Sequence, residues 1–378
     1  MPKLTLSALL GFVGLMGGVS DVLAASSPPT VQLTTEPPIE KVVPADKPVL
    51  LTLQAVDAQG KPIQNAKIRW QIFTPAKTPW FTTDFPVVEG TQLLDIKAIA
   101  PTGKLQVQQV LPIRGKYQLL VDVTPLDANK FTATQQILTL TVPEKNVKYR
   151  NLGILAVILL GVGLGGGWVI GERQLMQPGE IAPSRVRLLL SGVILVAIAV
   201  LLVVNISAEF AESHDHEHLS QVDNPDVPPS PALEVKWLGD THTAVGQLAQ
   251  MGVQLSNQAK DAIVKVKATQ LEHNETVFVY QGVPDAQGKL MWRQQFFDGA
   301  PHKVEVEVSP QPNAARQFSP FQLSKEIEVE AVAPPLFVRF ISLAYFTGIL
   351  VVGLVLGLKL RRDTSLSNKK SDRPASSL

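Results

Sequence analysis

Two stretches without a single charged side chain constrain this chain more than anything else in it. Asn151–Gly171 is bounded by Arg150 and Glu172, and Leu188–Ala208 by Arg187 and Glu209; each holds 21 residues. At 1.5 Å of rise per residue, such a run makes a helix about 30 Å long, the thickness of a bilayer's hydrocarbon core. The pair therefore reads as a transmembrane hairpin with residues 172–187 as its turn. A mid-chain hairpin returns the chain to the side it came from, so the polar blocks before and after it share one compartment. A third uncharged run, Ile341–Leu358, places a last span over 336–358.

Orientation follows from Lys and Arg in short flanks, which stay in the cytoplasm. Arg173, Arg185 and Arg187 lie in the hairpin turn, and Lys359, Arg361, Arg362, Lys369, Lys370 and Arg373 lie in the tail 359–378. Both belong inside, which puts both polar blocks outside. Residues 1–24 agree with this: Lys3, an apolar stretch Leu4–Val19 and the small-residue site before Ala25 read as a secretory signal. The expected location is a bacterial inner membrane with periplasmic domains and a cytoplasmic C-terminus. Tyr149 and Trp168 flank the first run as interfacial aromatics do. Its glycines 161, 163, 165, 166 and 167 include overlapping patterns of glycine four apart. Gly161 and Gly165, set against Gly353 and Gly357 of the third run, are the expected helix-packing surface.

The first block, 25–148, alternates with period two. Ile68, Trp70 and Ile72 fall on one face of a strand and Lys67, Arg69 and Gln71 on the other, and the alternation recurs at Tyr117–Val123 and Leu138–Val142. With Val49–Val56, Leu93–Ile99 and Leu105–Val110 this makes about seven short strands, the number that suits a β-sandwich. In the turn Asp57-Ala58-Gln59-Gly60-Lys61-Pro62 a glycine supplies positive φ and Asp57 can bond its own backbone. Over Val56-Asp57-x-x-Gly60-x-Pro62-x-x-x-Ala66 the segment resembles bacterial immunoglobulin-like domains, including the YtkA-like type, and the resemblance implies an immunoglobulin-like fold. A long loop carries Trp80, Phe81 and Phe85 among prolines. Two readings fit it: a knob that docks a partner, or a plug folded back on the end of the sandwich.

Residues 209–231 form an acidic linker, part of a stretch from Leu188 to Val235 with no Lys or Arg. Within it His214, His216 and His218 alternate with Asp215 and Glu217. In an extended chain the three imidazoles point one way, a donor set that suits Zn(II) or Cu(II); a solvated spacer is the other reading. The second block, 232–334, alternates again at Val304–Val308 and Ile327–Val329, which implies a second sandwich. Gly103-Lys104-Leu105 recurs as Gly288-Lys289-Leu290 and Val123-Thr124-Pro125 as Val308-Ser309-Pro310, both at a spacing of 185, and the same spacing sets Asn151 opposite Leu336. This suggests that a unit of sandwich and span occurs twice, with Val304–Val308 in the place of Tyr117–Val123.

The formal net charge is +1, so there is no global field to draw in nucleic acid. With no cysteine, disulfides and thiolate chemistry are excluded. No nucleophile elbow, phosphate loop or HExxH motif occurs, so an enzyme is not expected. The expectation is a membrane protein with two extracytoplasmic immunoglobulin-like sandwiches and three spanning helices. Its function would be non-enzymatic interaction or assembly with a membrane or exported protein, or, alternatively, Zn or Cu handling by the linker.

Overall fold

The computed structural model describes residues 28–78, 83–127, 130–171, 235–256, 262–312 and 318–371, with isolated positions at 186, 192 and 314. The first half builds seven strands: β1 (Thr30–Glu36), β2 (Val49–Val56), β3 (Ala66–Phe73), β4 (Gln92–Ala100), β5 (Lys104–Gln109), β6 (Gly115–Pro125) and β7 (Thr134–Val142). The alternation seen in sequence is the alternation of burial. In β5, Leu105, Val107 and Gln109 point inward while Lys104, Gln106 and Gln108 face solvent. The core is dense in large side chains, with Trp70, Tyr117, Leu51, Leu53, Ile68 and Ile72 all fully enclosed. Burial of such residues at about 25 cal/mol per Å² is the main term holding two facing sheets together.

Strand order places β1-β2-β5 in one sheet and β7-β6-β3-β4 in the other. In constant-type immunoglobulin sandwiches the fourth strand pairs with the fifth; here it pairs with the third, over Ala66↔Ala100 to Phe73↔Gln92. Both sheets of the first half therefore end, on the same side, in an uncovered strand: β5 in one and β4 in the other. At the start of β6, Tyr117 donates its hydroxyl hydrogen to the Ile113 carbonyl at 2.7 Å and accepts from the Ile113 N–H at 3.0 Å. This is the corner bond of immunoglobulin-like domains. Burial pushes that phenol's pKa up, against the opposing bond to Ile113.

The second half comprises β8 (Val235–Gly239), β9 (His242–Ala244), β10 (Leu248–Leu255), β11 (Ala262–Gln270), β12 (Glu275–Gly282), β13 (Lys289–Gln295), β14 (His302–Pro310) and β15 (Phe321–Glu330). Its sheets read β8-β10-β13 and β12-β11-β14-β15, with the three-residue β9 added in parallel to β15. Strand for strand, this is the order of the first half. β14 lies between β11 and β15 as β6 lies between β3 and β7. Ala55 N–H bonds to the Gly103 carbonyl and Leu255 N–H to the Gly288 carbonyl. The Asp57 and Asp285 turns also match in chemistry, each carboxylate accepting two N–H groups two and four residues on. They occupy different slots, however, between β2 and β3 in one half and between β12 and β13 in the other.

The two halves are not separate bodies, as two sandwiches on a string would be. β5 pairs with β12 and β4 with β13, so the molecule has one eight-stranded and one seven-stranded sheet, each running unbroken through both halves. The reason is the uncovered pair of edges described above: a free strand edge is a row of unpaired N–H and C=O groups, and each half satisfies the other's. The two seams share a register. Val107↔Tyr280 and Gln109↔Phe278 on one side answer Trp292↔Ile96 and Gln294↔Leu94 on the other.

Two helices complete the described chain, α1 (Asn146–Ile170) after β7 and α2 (Leu336–Ser371) after β15. Both are long and apolar enough to cross a membrane by length and composition. They start 190 apart rather than 185, the β6–β7 connection and the lead into the helix each being longer in the second half. α1 begins before the uncharged run does, because Lys148 and Arg150 are good helix formers; the run marks what a bilayer would cover, not where the helix starts.

Candidate interaction sites

The seam on the seven-stranded sheet is closed by charge. Asp95, in the middle of β4, is 5% exposed and takes two hydrogen bonds from Arg69 of β3, Nε to Oδ1 at 3.1 Å and Nη2 to Oδ2 at 2.9 Å. From the other half, Arg293 of β13 donates to the same Oδ2. Burial pushes the Asp95 carboxyl up, but the bonds and charge of Arg69 and Arg293 outweigh it and hold the carboxyl below its usual range. The matching positions on the opposite seam are Lys265, Val279 and Gln108, which line a shallow groove of about 410 Å³ with Leu50, Lys104 and Ile263. One seam is locked by a charged triad and the other lies open.

Deeper in the seam, Gln109 and Gln294 are buried in matching places. Each donates its amide to the next residue's carbonyl, at 2.8 and 3.0 Å, and each leaves its side-chain oxygen without a partner. Beside them Thr91 and Gln295 exchange hydrogen bonds across the halves at 2.8 and 3.2 Å. Such a polar band inside a sandwich is costly unless paired, and here the Thr91–Gln295 pair supplies the bonds that cross the seam.

The aromatic loop ends at this band. Phe85 is half-buried and meets Phe297 of the second half edge to face, ring centroids 5.3 Å apart. It staples the halves together and does not stand free as a docking group. Trp80 and Phe81 lie outside the described residues. Asp84 pairs with Lys148 in the first turn of α1, and Glu144 pairs with Arg114 at 2.6 Å. The loop, the base of the sandwich and the helix start are therefore tied together.

The helices meet through glycine, but through a different pair on α1 than the sequence reading chose. A Cβ on Gly161 or Gly165 would meet nothing within 4 Å, whereas one on Gly163 would strike the Leu350 carbonyl and one on Gly167 the Leu354 carbonyl. Gly353 and Gly357 lie at the contact as expected, against the Leu160 and Leu164 carbonyls. Both glycine patterns of α1 have the same spacing, so spacing could not choose between them. The alignment of Asn146 with Leu336 does, since it sets Gly163 on Gly353 and Gly167 on Gly357. Because later residues of α1 meet later residues of α2, the helices run parallel. Arg361 stacks over the Trp168 ring at 5.1 Å at their far ends.

The candidate ligands His214, Asp215, His216, Glu217 and His218 lie outside the described residues. Among the described residues no group of three or more His, Asp or Glu is placed to hold a metal. His242 pairs with Glu328 at 2.9 Å on the surface, and His302 is buried with Nδ1 2.7 Å from the Ala300 carbonyl.

No protein-family model matches the chain, and no curated protein does. Solved structures similar to it include Salmonella alpha-2-macroglobulin reacted with methylamine, at 9% identity and a TM-score of 0.21, covering 80% of this chain and 15% of that one. Escherichia coli alpha-2-macroglobulin activated by porcine elastase is similar at 9% identity and a TM-score of 0.20, covering 81% of this chain and 22% of that one. The β-sandwich architecture rests on this chain's own strand order and corner bond, and function must be argued from its surfaces.

Proposed function

We propose that this chain is a membrane-anchored, extracytoplasmic interaction module, a non-enzymatic platform for assembling another membrane or exported protein. The observation that carries the reading is that both sheets run unbroken through both halves and lead, after β7 and β15, into two parallel apolar helices. A body so joined holds its surfaces at fixed height and orientation over a bilayer. The charged triad at Asp95 fastens the two halves to each other.

In this reading the signal 1–24 exports the first half, α1 crosses inward, residues 188–208 cross back, and α2 carries the basic tail into the cytoplasm. The recurrence of strand order, seam register and helix contact supports duplication of a unit of sandwich and helix, the YtkA-like type being one candidate origin. The test is purification of the full-length chain from native membranes in mild detergent. A stoichiometric partner that stays bound through size exclusion is expected, and a chain that elutes alone under all mild conditions overturns the reading. Topology is read separately: a cysteine at Ser377 should resist an impermeant reagent in intact cells, and its labelling would reverse the orientation.

A further inference from the structure

The contact between α1 and α2 leaves a second, wholly uncharged groove beside it. Leu160 of α1 and Ala344, Tyr345, Gly348, Ile349 and Val352 of α2 line an open groove of about 310 Å³. Ala344 and Gly348 lie one turn apart in its wall, and a Cβ on Gly348 would meet nothing within 4 Å. Helix backbone is thus uncovered in a concave, apolar setting.

We propose that this groove is the seat of residues 188–208 of the same chain, which pack against both α1 and α2 to make a three-helix bundle. The inference rests on the membrane reading above. The chain leaves α1 at Gly171, at the end far from the sandwich, and at Val235 is back in the sheet as β8. Since α1 and α2 are parallel, a return crossing must come from residues 172–234, and in that stretch only 188–208 is long and uncharged enough to make it. Residues 172–187 join consecutive uncharged runs, and consecutive elements are usually neighbours in space, antiparallel where the chain turns back. One side of α1 is already taken by α2, so a helix held close to α1 meets the groove that Leu160 shares with α2. Between helices in lipid no hydrophobic force acts; close backbone approach over small residues is what favours association, and Ala344 and Gly348 permit it. The incoming run offers Leu, Ile and Val to fill the groove and Ala197 and Ala199 for close approach.

The chain has no cysteine, so the test needs no background removal. Gly348→Cys is combined in turn with single cysteines from 193 to 201 in the full-length protein, with a protease site set in the 209–231 linker. Native membranes are treated with a short bifunctional maleimide and then with protease. The expected result is that the two fragments stay joined at positions recurring every three or four residues, and separate at the positions between. Linkage of Gly348→Cys between two copies assigns the groove to a second molecule and overturns the proposal. So does the absence of linkage at every position while Leu160→Cys joins Ile349→Cys, which leaves the groove to lipid. Alkaline carbonate extraction reads the anchorage by itself: a chain released by carbonate removes the membrane reading, whereas one retained without linkage removes only the groove assignment.

Discussion

Single side chains fasten this molecule at two points that both weaken as pH falls, one because a carboxylate must stay charged and the other because an imidazole must stay neutral. Asp95 neutralises two arginines that arrive from different halves, so Asp95→Asn leaves Arg69 and Arg293 facing each other over a neutral amide. Both guanidinium groups are about 40% exposed and water screens them; the expected loss is therefore about 1–3 kcal/mol, below that for a fully buried pair. Urea midpoints of the two proteins measure it, with Asp46→Asn, at an exposed position away from the seam, as the near-neutral comparison. His302 takes the place that Tyr117 holds in the first half and packs its ring on Phe296 at 4.5 Å. Burial lowers its pKa from 6.5, more than the Ala300 carbonyl and the charge of Asp298 raise it. A group that is harder to protonate folded than unfolded contributes stability that is complete above the unfolded value and is lost as pH falls below it. The second half should therefore weaken as pH falls from about 6.5 toward its lowered folded value. His302→Gln should flatten that slope; equal pH profiles for the two proteins would show that another group is responsible.

At the scale of elements, most strands were legible because burial itself alternates: β2 to β7 lie where inward Val, Leu, Ile, Tyr and Trp repeat at every second position, whereas β1, with three threonines and one buried residue, was not. Their assembly was not legible. Asp95 shares the outward face of its strand with Lys97, yet it is buried because Arg69 and Arg293 cover it at the seam. Nothing in a strand's own pattern states which strand will lie against its edge. The aromatic loop illustrates the same gap, since only the presence of Phe297 from the other half decides what Phe85 does. The helices show how a pattern can be right and its phase wrong. Gly163→Leu and Gly357→Leu put a side chain into the facing backbone and should separate α1 from α2, whereas Gly161→Leu, with open space before it, should not. Crosslinking between cysteines placed at Leu160 and Ile349 reports the separation, and equal loss in all three variants would mean that helix contact does not run through these glycines.

The whole molecule behaves as a pseudo-twofold pair fused in one chain, and this leads to a prediction about the halves in isolation. In the intact protein β4 meets β13 and β5 meets β12, while strand order makes β13 the counterpart of β5 and β12 that of β4. Two copies of the first half alone can therefore close the same seams on each other, β4 against β5 of the second copy at both. The register carries over: Val107, which faces Tyr280, would face Ile96, and Gln109, which faces Phe278, would face Leu94. The charged fastening is poorer in such a dimer, because Gln108 stands where Arg293 stood, but Arg69 still serves Asp95 within each copy. Left unpaired, both edges would present free main-chain groups and the buried face of Gln109 to water, a state that promotes association. The soluble fragment 25–143 should thus be a dimer whose dissociation depends on concentration, seen by light scattering after size exclusion. Thr91→Lys and Gln109→Lys, placed in the seam, should return it to monomer, and Lys at the exposed Thr34 of β1, on the far edge of the sheet, should not. A fragment that is monomeric at every concentration would mean that the seam depends on features unique to the second half, Arg293 foremost, and not on the shared strand order.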